Sequence, residues 1–158
     1  MGDSALEIDV VPMRRCILNA LLHWLPVTLW MAWIFWLSDQ PKLPHPARRL
    51  GLSDYLFDYA AHAFTFGLLA ALAWWAFVPL KARRLLLPLS PPLLSGLFSA
   101  LYAISDELHQ AFVPGRWAKV SDWLADVVGI LLTLSFISWI GRSQFLRHVR
   151  VFFELDRN

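Results

Sequence analysis

Four stretches of this chain are apolar for long enough to cross a lipid bilayer, and nothing else in it constrains the fold as tightly. They run from Cys16 to Leu37, Tyr59 to Pro79, Leu85 to Ser105 and Asp122 to Gly141. About 20 residues of helix span the hydrocarbon, and in lipid the backbone must satisfy its own hydrogen bonds. The expected fold class is therefore all-α, a polytopic membrane protein built as a four-transmembrane-helix bundle. Composition agrees, because 58% of the 158 residues are hydrophobic and 16% charged, whereas a soluble domain carries roughly a quarter charged residues. The mean hydropathy of +0.50 points the same way. The first expected partner is the bilayer itself.

Two of the runs need further argument. The third carries Pro88, Pro91 and Pro92 near its start, so it is expected to begin late or to kink. The first follows Arg14 and Arg15 like a secretory signal, but it exceeds the usual apolar core of about 7 to 15 residues. No small-residue cleavage site follows it in "WIFWLSDQP", so it reads as a retained span. Cys16 is the single cysteine, which excludes an intramolecular disulfide.

Orientation follows from the basic residues on each side of the spans. Arg14, Arg15, Lys81, Arg83, Arg84, Arg142, Arg147, Arg150 and Arg157 fall on one side, and Lys42, Arg48, Arg49, Arg116 and Lys119 on the other. Nine against five predicts both termini in the cytoplasm. The expected organisation is an N-terminal tail over 1–15, a four-helix membrane domain over 16–141 and a basic C-terminal tail over 142–158, in a multi-pass protein of the cell membrane. Trp36, Tyr55, Tyr59, Tyr102, Trp117 and Trp123 fall near the outer boundary, with Trp74, Trp75 and Trp139 near the inner one, as amphipathic rings at headgroup level do. The net charge of +2 is explained by this topology, and no basic patch with interleaved aromatics points to nucleic acid.

The acids are distributed unevenly. Asp39, Asp54, Asp58, Asp106, Glu107, Asp122 and Asp126 all lie on the outer side, where helices one and three end and helices two and four begin. If helix three continues through "SDELHQAFVPGR", then Tyr102, Asp106 and His109 share one stripe, and Glu107 and Gln110 form another contact pair. On the fourth helix Asp122, Asp126, Gly129 and Thr133 share a stripe, and on the second Asp58, His62 and Thr65 do. Asp126 and His62 sit about one turn inside their helices, where an ionisable group facing lipid is costly, so both should face protein or a water-filled cavity. Asp122 and Asp58 have the plainer alternative of an acid at a helix N-terminus. A single His on an apolar helix is more often a packing residue than a ligand, and the motif as a whole has the alternative of a solvated exit loop. His23 reads as structural, and His45 and His148 as solvated. The stretch Arg142 to Arg157 could lie along an anionic leaflet or stay solvated.

A faint internal repeat supports two similarly oriented hairpins. "SDQ" at Ser38 to Gln40 ends helix one as "SDE" at Ser105 to Glu107 ends helix three, and Asp58 and His62 open helix two as Asp122 and Asp126 open helix four.

The succession of "LSDQP", "DYAAHAFTFGLLA" and "ISDELHQAFVPGRWAKVSDWLADVVGILL" resembles the VanZ-like membrane proteins over roughly Leu37 to Thr133. The third segment is the specific one. The resemblance carries over His62, Ser105, Asp106, Glu107, His109, Gln110, Pro114, Gly115, Arg116, Asp122 and Gly129. Where that family often has Asn one turn into the fourth helix this chain has Asp126, and where it often has Lys before the second-helix His this chain has Tyr59, so its cluster is more acidic. The resemblance implies a polytopic protein of a bacterial inner membrane, and the founding member is linked to low-level teicoplanin resistance.

Three function classes remain open. A binding protein would use Arg116 and His109 as donors to an anionic, lipid-linked envelope precursor, with His62, Asp106, Glu107, Gln110, Asp122 and Asp126 completing the site. A hydrolase or transferase would use Glu107 or His109 as general base, with Asp106, Asp122 or Asp126 orienting it or holding a divalent metal. A proton-coupled transporter would use Asp126 and His62. Sequences such as HExxH, GxSxG and the P-loop are absent, and no Cys/His metal set or organic cofactor motif is present. Four helices leave little room for alternating access unless the chain forms a homo-oligomer. An envelope-binding or accessory role is the expectation these residues favour.

Overall fold

The computed structural model describes the backbone of residues 10–41, 53–82 and 89–155, and side chains within 21–41, at 53, and within 55–80 and 89–142. Lys42, His45, Arg48, Arg49, Arg83, Arg84 and Arg157, and the start of the third apolar run, lie outside the described residues. The described chain is all-helical, with α1 Val10–Ser38, α2 Asp54–Ala82, α3 Pro91–Gln110 and α4 Val120–Leu155. Three of the helices contain stretches long and apolar enough to cross a membrane, namely Leu21–Ser38, Tyr55–Leu80 and Val120–Arg142.

Helix α3 is not among them. Its start is late for the reason expected, since Pro91 and Pro92 occupy its first turn, where a missing N–H leaves no bond unmade. It then runs past Ser105 to Gln110, so the polar motif is helical and dilutes the apolar length. Helices α1 and α4 extend beyond their apolar runs into residues 10–15 and 142–155, because backbone hydrogen bonding continues where the apolar side chains stop.

The four helices alternate in direction. The C-terminal ends of α1 and α3 meet the N-terminal ends of α2 and α4, and this end carries all the acidic side chains among the described residues. At the opposite end Trp24 of α1 packs edge-on against Phe77 of α2 and Phe98 of α3, with ring centroids 5.1 and 5.8 Å away. His23 stacks on Trp75 at 4.2 Å, consistent with its structural reading. Helix α2 touches all three others and packs most extensively on α4, whereas α1 and α4 make no contact among the described residues.

One glycine sets the α2–α4 distance. A Cβ on Gly129 would lie 1.9 Å from the carbonyl oxygen of Ala63, so only glycine permits the backbones to approach this closely. Ala63 follows His62, and Gly129 lies one turn after Asp126, so the same approach brings those two side chains face to face.

The radial pattern is that of a chain solvated by lipid. Leu21, Leu25, Leu29, Trp33, Leu97, Leu101, Val128, Leu132, Phe136 and Trp139 are exposed, while Ser95, Ser99, Asp106, Glu107, Gln110, Asp122 and Asp126 are buried. The apolar core of Val27, Ile34, Phe66, Leu69, Ala70, Ala76, Ala103 and Ile130 is small, and small residues fill much of it.

Candidate functional site

The polar end divides into two networks that the acid count alone does not separate. The first joins α1 to α3. Ser38 donates to Asp106 Oδ1 at 2.6 Å, and the Gln110 amide donates to Asp106 Oδ2 at 2.9 Å and to Ser38 Oγ at 3.4 Å. Asp106 and Gln110 lie one turn apart on α3, which places both side chains on the α1 side.

Arg116 closes this network from the loop. Gly115 has φ +82°, and the N–H of Arg116 donates to the Val113 carbonyl at 3.1 Å, so Val113–Pro114–Gly115–Arg116 fits a type II turn with Pro and Gly in their favoured places. The turn aims the guanidinium at the end of α1. There Nε donates to Gln40 O at 3.0 Å, Nη2 to Leu37 O at 3.2 Å and Nη1 to Gln110 Oε1 at 3.3 Å. The last carbonyls of a helix lack intrahelical partners and carry its negative dipole end, so a cation is well placed on them. The guanidinium thus faces the end of α1 and makes no hydrogen bond to Asp122 or Asp126.

The second network joins α2, α3 and α4. His62 Nδ1 lies 3.0 Å from Asp126 Oδ1, a hydrogen bond, and His62 Nε2 lies 3.8 Å from Asp122 Oδ2. Glu107 reaches the same place from α3, and ligand atoms of His62, Glu107 and Asp122 all lie within 4.8 Å of one another. Asp122 and Asp126 are one turn apart at the start of α4, so both face α2. The backbone N–H of Lys119 donates to Glu107 Oε2 at 2.7 Å, and Ser121 Oγ donates to Asp122 Oδ1 at 3.1 Å. Lys119 Nζ stands 3.8 Å from Asp122 Oδ2.

The two networks differ in how far they are satisfied. Among the described residues, every side-chain oxygen and nitrogen of Asp106 and Gln110 has a partner. In the second network Glu107 Oε1 and Asp126 Oδ2 are buried without a hydrogen-bond partner, although Asp126 is 0% and Glu107 8% exposed. Buried polar atoms are nearly always paired, so such atoms call for an explanation. Access is limited, since the His62 side chain is 18% exposed and that of Asp126 0%.

The sequence-predicted residues therefore sort into three places. His62, Glu107, Asp122 and Asp126 converge. Asp106, Gln110 and Arg116 converge separately. His109 joins neither, since its ring packs on Phe35 at 4.4 Å and its Nε2 lies 3.5 Å from the exposed Asp39. Helical spacing pairs Glu107 with Gln110, yet positions three apart still differ by about 60° around the helix axis, and here one side chain meets the start of α4 and the other the α1 side.

Sequence reasoning missed Ser38 and Lys119 as site residues. Ser38 was visible through the repeated "SDQ" and "SDE", but the repeat does not reveal its partner, and the equivalent Ser105 bonds only to Tyr102 O of its own helix at 2.7 Å. Lys119 acts largely through its backbone N–H, which no residue type announces. Tyr102, also on the predicted stripe, donates to Met31 O at 2.7 Å and ties α3 to α1.

No curated protein and no solved structure matches the chain. A family model does, and it runs from just before the first membrane-length stretch, Leu21–Ser38, to one residue short of the end of the last, Val120–Arg142. With the VanZ/LLP1 model matching residues 20–141, the chain belongs to the VanZ/LLP1 family.

Proposed function

We propose that this protein is a multi-pass protein of the cell membrane, with both termini cytoplasmic and its polar end outward, that binds the anionic head group of a lipid-linked envelope precursor. The role is accessory, of the kind implicated in glycopeptide resistance, and the family name is compatible with it. The single observation that carries the reading is the pair of unpartnered carboxylate oxygens on Glu107 and Asp126, buried at the end of a bundle whose exterior is apolar. These oxygens only accept, so a head group entering from the interface would meet them through its hydroxyl or amide donors while its phosphate meets His62 and Lys119.

Arg116 is committed to α1, so it acts as a support and not as the anion's donor. The cationic groups at the second network are His62 and Lys119, the latter 54% exposed at its side chain. Reporter fusions after Arg49 and after Trp117 should read outside, and fusions after Arg84 and Arg150 cytoplasmic. Purified full-length protein should bind vesicles containing a polyprenyl phosphate more tightly than neutral vesicles. A cytoplasmic readout at Trp117, or equal binding to both vesicles, overturns the proposal.

A second reading, a membrane-embedded hydrolase or transferase acting on the same lipid, draws on the His62–Asp126 hydrogen bond. A carboxylate that holds an imidazole by one nitrogen leaves the other to accept a proton. Turnover of the polyprenyl phosphate head group would favour it over simple binding.

A further inference from the structure

We infer that His62, Glu107 and Asp122 form a site for a first-row divalent cation of the Mn²⁺ or Zn²⁺ type, and that this cation gives the acidic cluster its hold on a phosphate-bearing head group. The second half rests on the proposed function above, whereas the first half does not.

Each of the three side chains is anchored by one atom and offers another. His62 is held through Nδ1 by Asp126 Oδ1 at 3.0 Å, which leaves Nε2 facing Asp122. Glu107 is held through Oε2 by the Lys119 N–H at 2.7 Å, which leaves Oε1 buried without a hydrogen-bond partner. Asp122 is held through Oδ1 by Ser121 Oγ at 3.1 Å, which leaves Oδ2 with His62 Nε2 and the half-exposed Lys119 Nζ, each 3.8 Å away and neither in hydrogen-bond contact. Metal-binding side chains are characteristically oriented in this way, with a histidine ligand donating its second nitrogen to a carboxylate.

The spacing agrees with a cation between them. The 3.8 Å from His62 Nε2 to Asp122 Oδ2 is too long for a hydrogen bond. Two ligands each about 2.1 Å from one cation lie roughly 3 to 4 Å apart. The 4.8 Å spread of the set needs only a small inward movement of flexible carboxylates.

Charge supplies an independent reason. Glu107, Asp122 and Asp126 are all at least nine-tenths buried, and the groups facing them are one imidazole and the rim ammonium of Lys119. Several carboxylates in one buried place repel each other unless a cation or protons offset them. One imidazole with carboxylates suits Mn²⁺ or Zn²⁺ better than Mg²⁺ or Ca²⁺, which favour oxygen alone. Three protein ligands leave coordination positions open, and a phosphate oxygen can fill one.

The test uses the full chain in detergent, stripped with a chelator and titrated with Mn²⁺ alone, with binding read by electron paramagnetic resonance. The expected result is saturable binding displaced by Zn²⁺, with nitrogen hyperfine coupling that His62→Gln abolishes. Glu107→Gln and Asp122→Asn should each weaken binding about tenfold or more, while Asp39→Asn on the α1 side leaves it unchanged. Absence of saturable binding or of nitrogen coupling in the unaltered protein overturns the inference without reliance on any variant's folding. Folded carboxylate variants that bind Mn²⁺ as the parent does also overturn it. Vesicle binding that persists undiminished in chelator defeats the cation's role and leaves the head-group proposal standing. Mn²⁺ binding without any preference for polyprenyl phosphate vesicles does the reverse.

Discussion

The α1–α3 contact and the α2–α4 contact use similar residues at the same end of the bundle, yet one is closed and the other open. Around Asp106 both carboxylate oxygens accept hydrogen bonds, from Ser38 and Gln110, and Arg116 ties the pair to the end of α1. Around Asp126 one oxygen meets His62 and the other meets nothing, and Glu107 beside it has the same half-satisfied state. A saturated buried network gives its favourable energy to the fold. An unsaturated one has capacity left for something else. Two acids that look equivalent in sequence therefore separate into a structural one and a candidate functional one by their remaining valence.

The most severe way to break the comparison is through the backbone that supports its open side. Gly129→Ala would drive a methyl group into the carbonyl of Ala63, and relief requires α2 and α4 to part. It should destabilise the protein by about 3 kcal/mol or more, read as loss of monodisperse protein in detergent. Gly67→Ala should be milder, because its nearest obstruction is the Thr133 hydroxyl at 2.7 Å, which can rotate away, and the nearest backbone atom, Gly129 O, is 3.1 Å off against 1.9 Å at Gly129. If Gly129→Ala is as stable as the parent, the close approach is not what holds His62 against Asp126.

Arg116 tests the closed side. Arg116→Ala should lower stability by roughly 2 kcal/mol, since Gln40 O loses its guanidinium donor and Leu37 O keeps only the Gln40 N–H. Arg116→Lys should lose nearly as much, because a single ammonium cannot reproduce a fork that reaches two carbonyls and Gln110. Thermal unfolding in detergent measures both. Mn²⁺ affinity below the unfolding range should not change, and a large loss there would merge the two networks into one.

Asp126 sharpens the open side. Asp126→Leu should reduce cation affinity and deletion-complementing function about 10- to 100-fold, since His62 loses the carboxylate that orients it. Asp126→Asn keeps an acceptor for His62 and should cost less than Asp126→Leu at equal membrane abundance. If the two are equally damaging, the charge itself is required, and a proton-coupled role gains over binding.

The smallest effect belongs to Ser38. Ser38→Ala removes the 2.6 Å hydrogen bond to Asp106, which keeps Gln110 as a partner, so a loss of about 1 kcal/mol in unfolding experiments is expected. A loss as large as that of Arg116→Ala would show that the closed network hangs on α1's last side chain and not on its carbonyls.

Much of this molecule was legible before its structure. Three of the apolar runs fall wholly within α1, α2 and α4, the third is helical from Pro91, and "VPGR" forms the turn its Pro and Gly imply. The inward placement of His62 and Asp126 followed from the cost of a charge in lipid. What could not be read were partnerships between side chains on different helices. Glu107 and Gln110 are three residues apart, and no local rule says that one meets α4 and the other α1. His109 shares a nominal stripe with Asp106 and still turns to Phe35 and Asp39.

Helix type, solvent class and the polar end were determined by the sequence itself, because backbone hydrogen bonding, transfer of side chains to lipid and residue spacing are local quantities. Which acids are satisfied was decided only by tertiary structure. That outcome depends on the distance between α2 and α4, set where Gly129 meets Ala63, and on a loop that offers the N–H of Lys119 to Glu107 while its Arg116 reaches back to α1. Hydrogen bonding at that level is a property of pairs brought together from distant parts of the chain, and no single position encodes it.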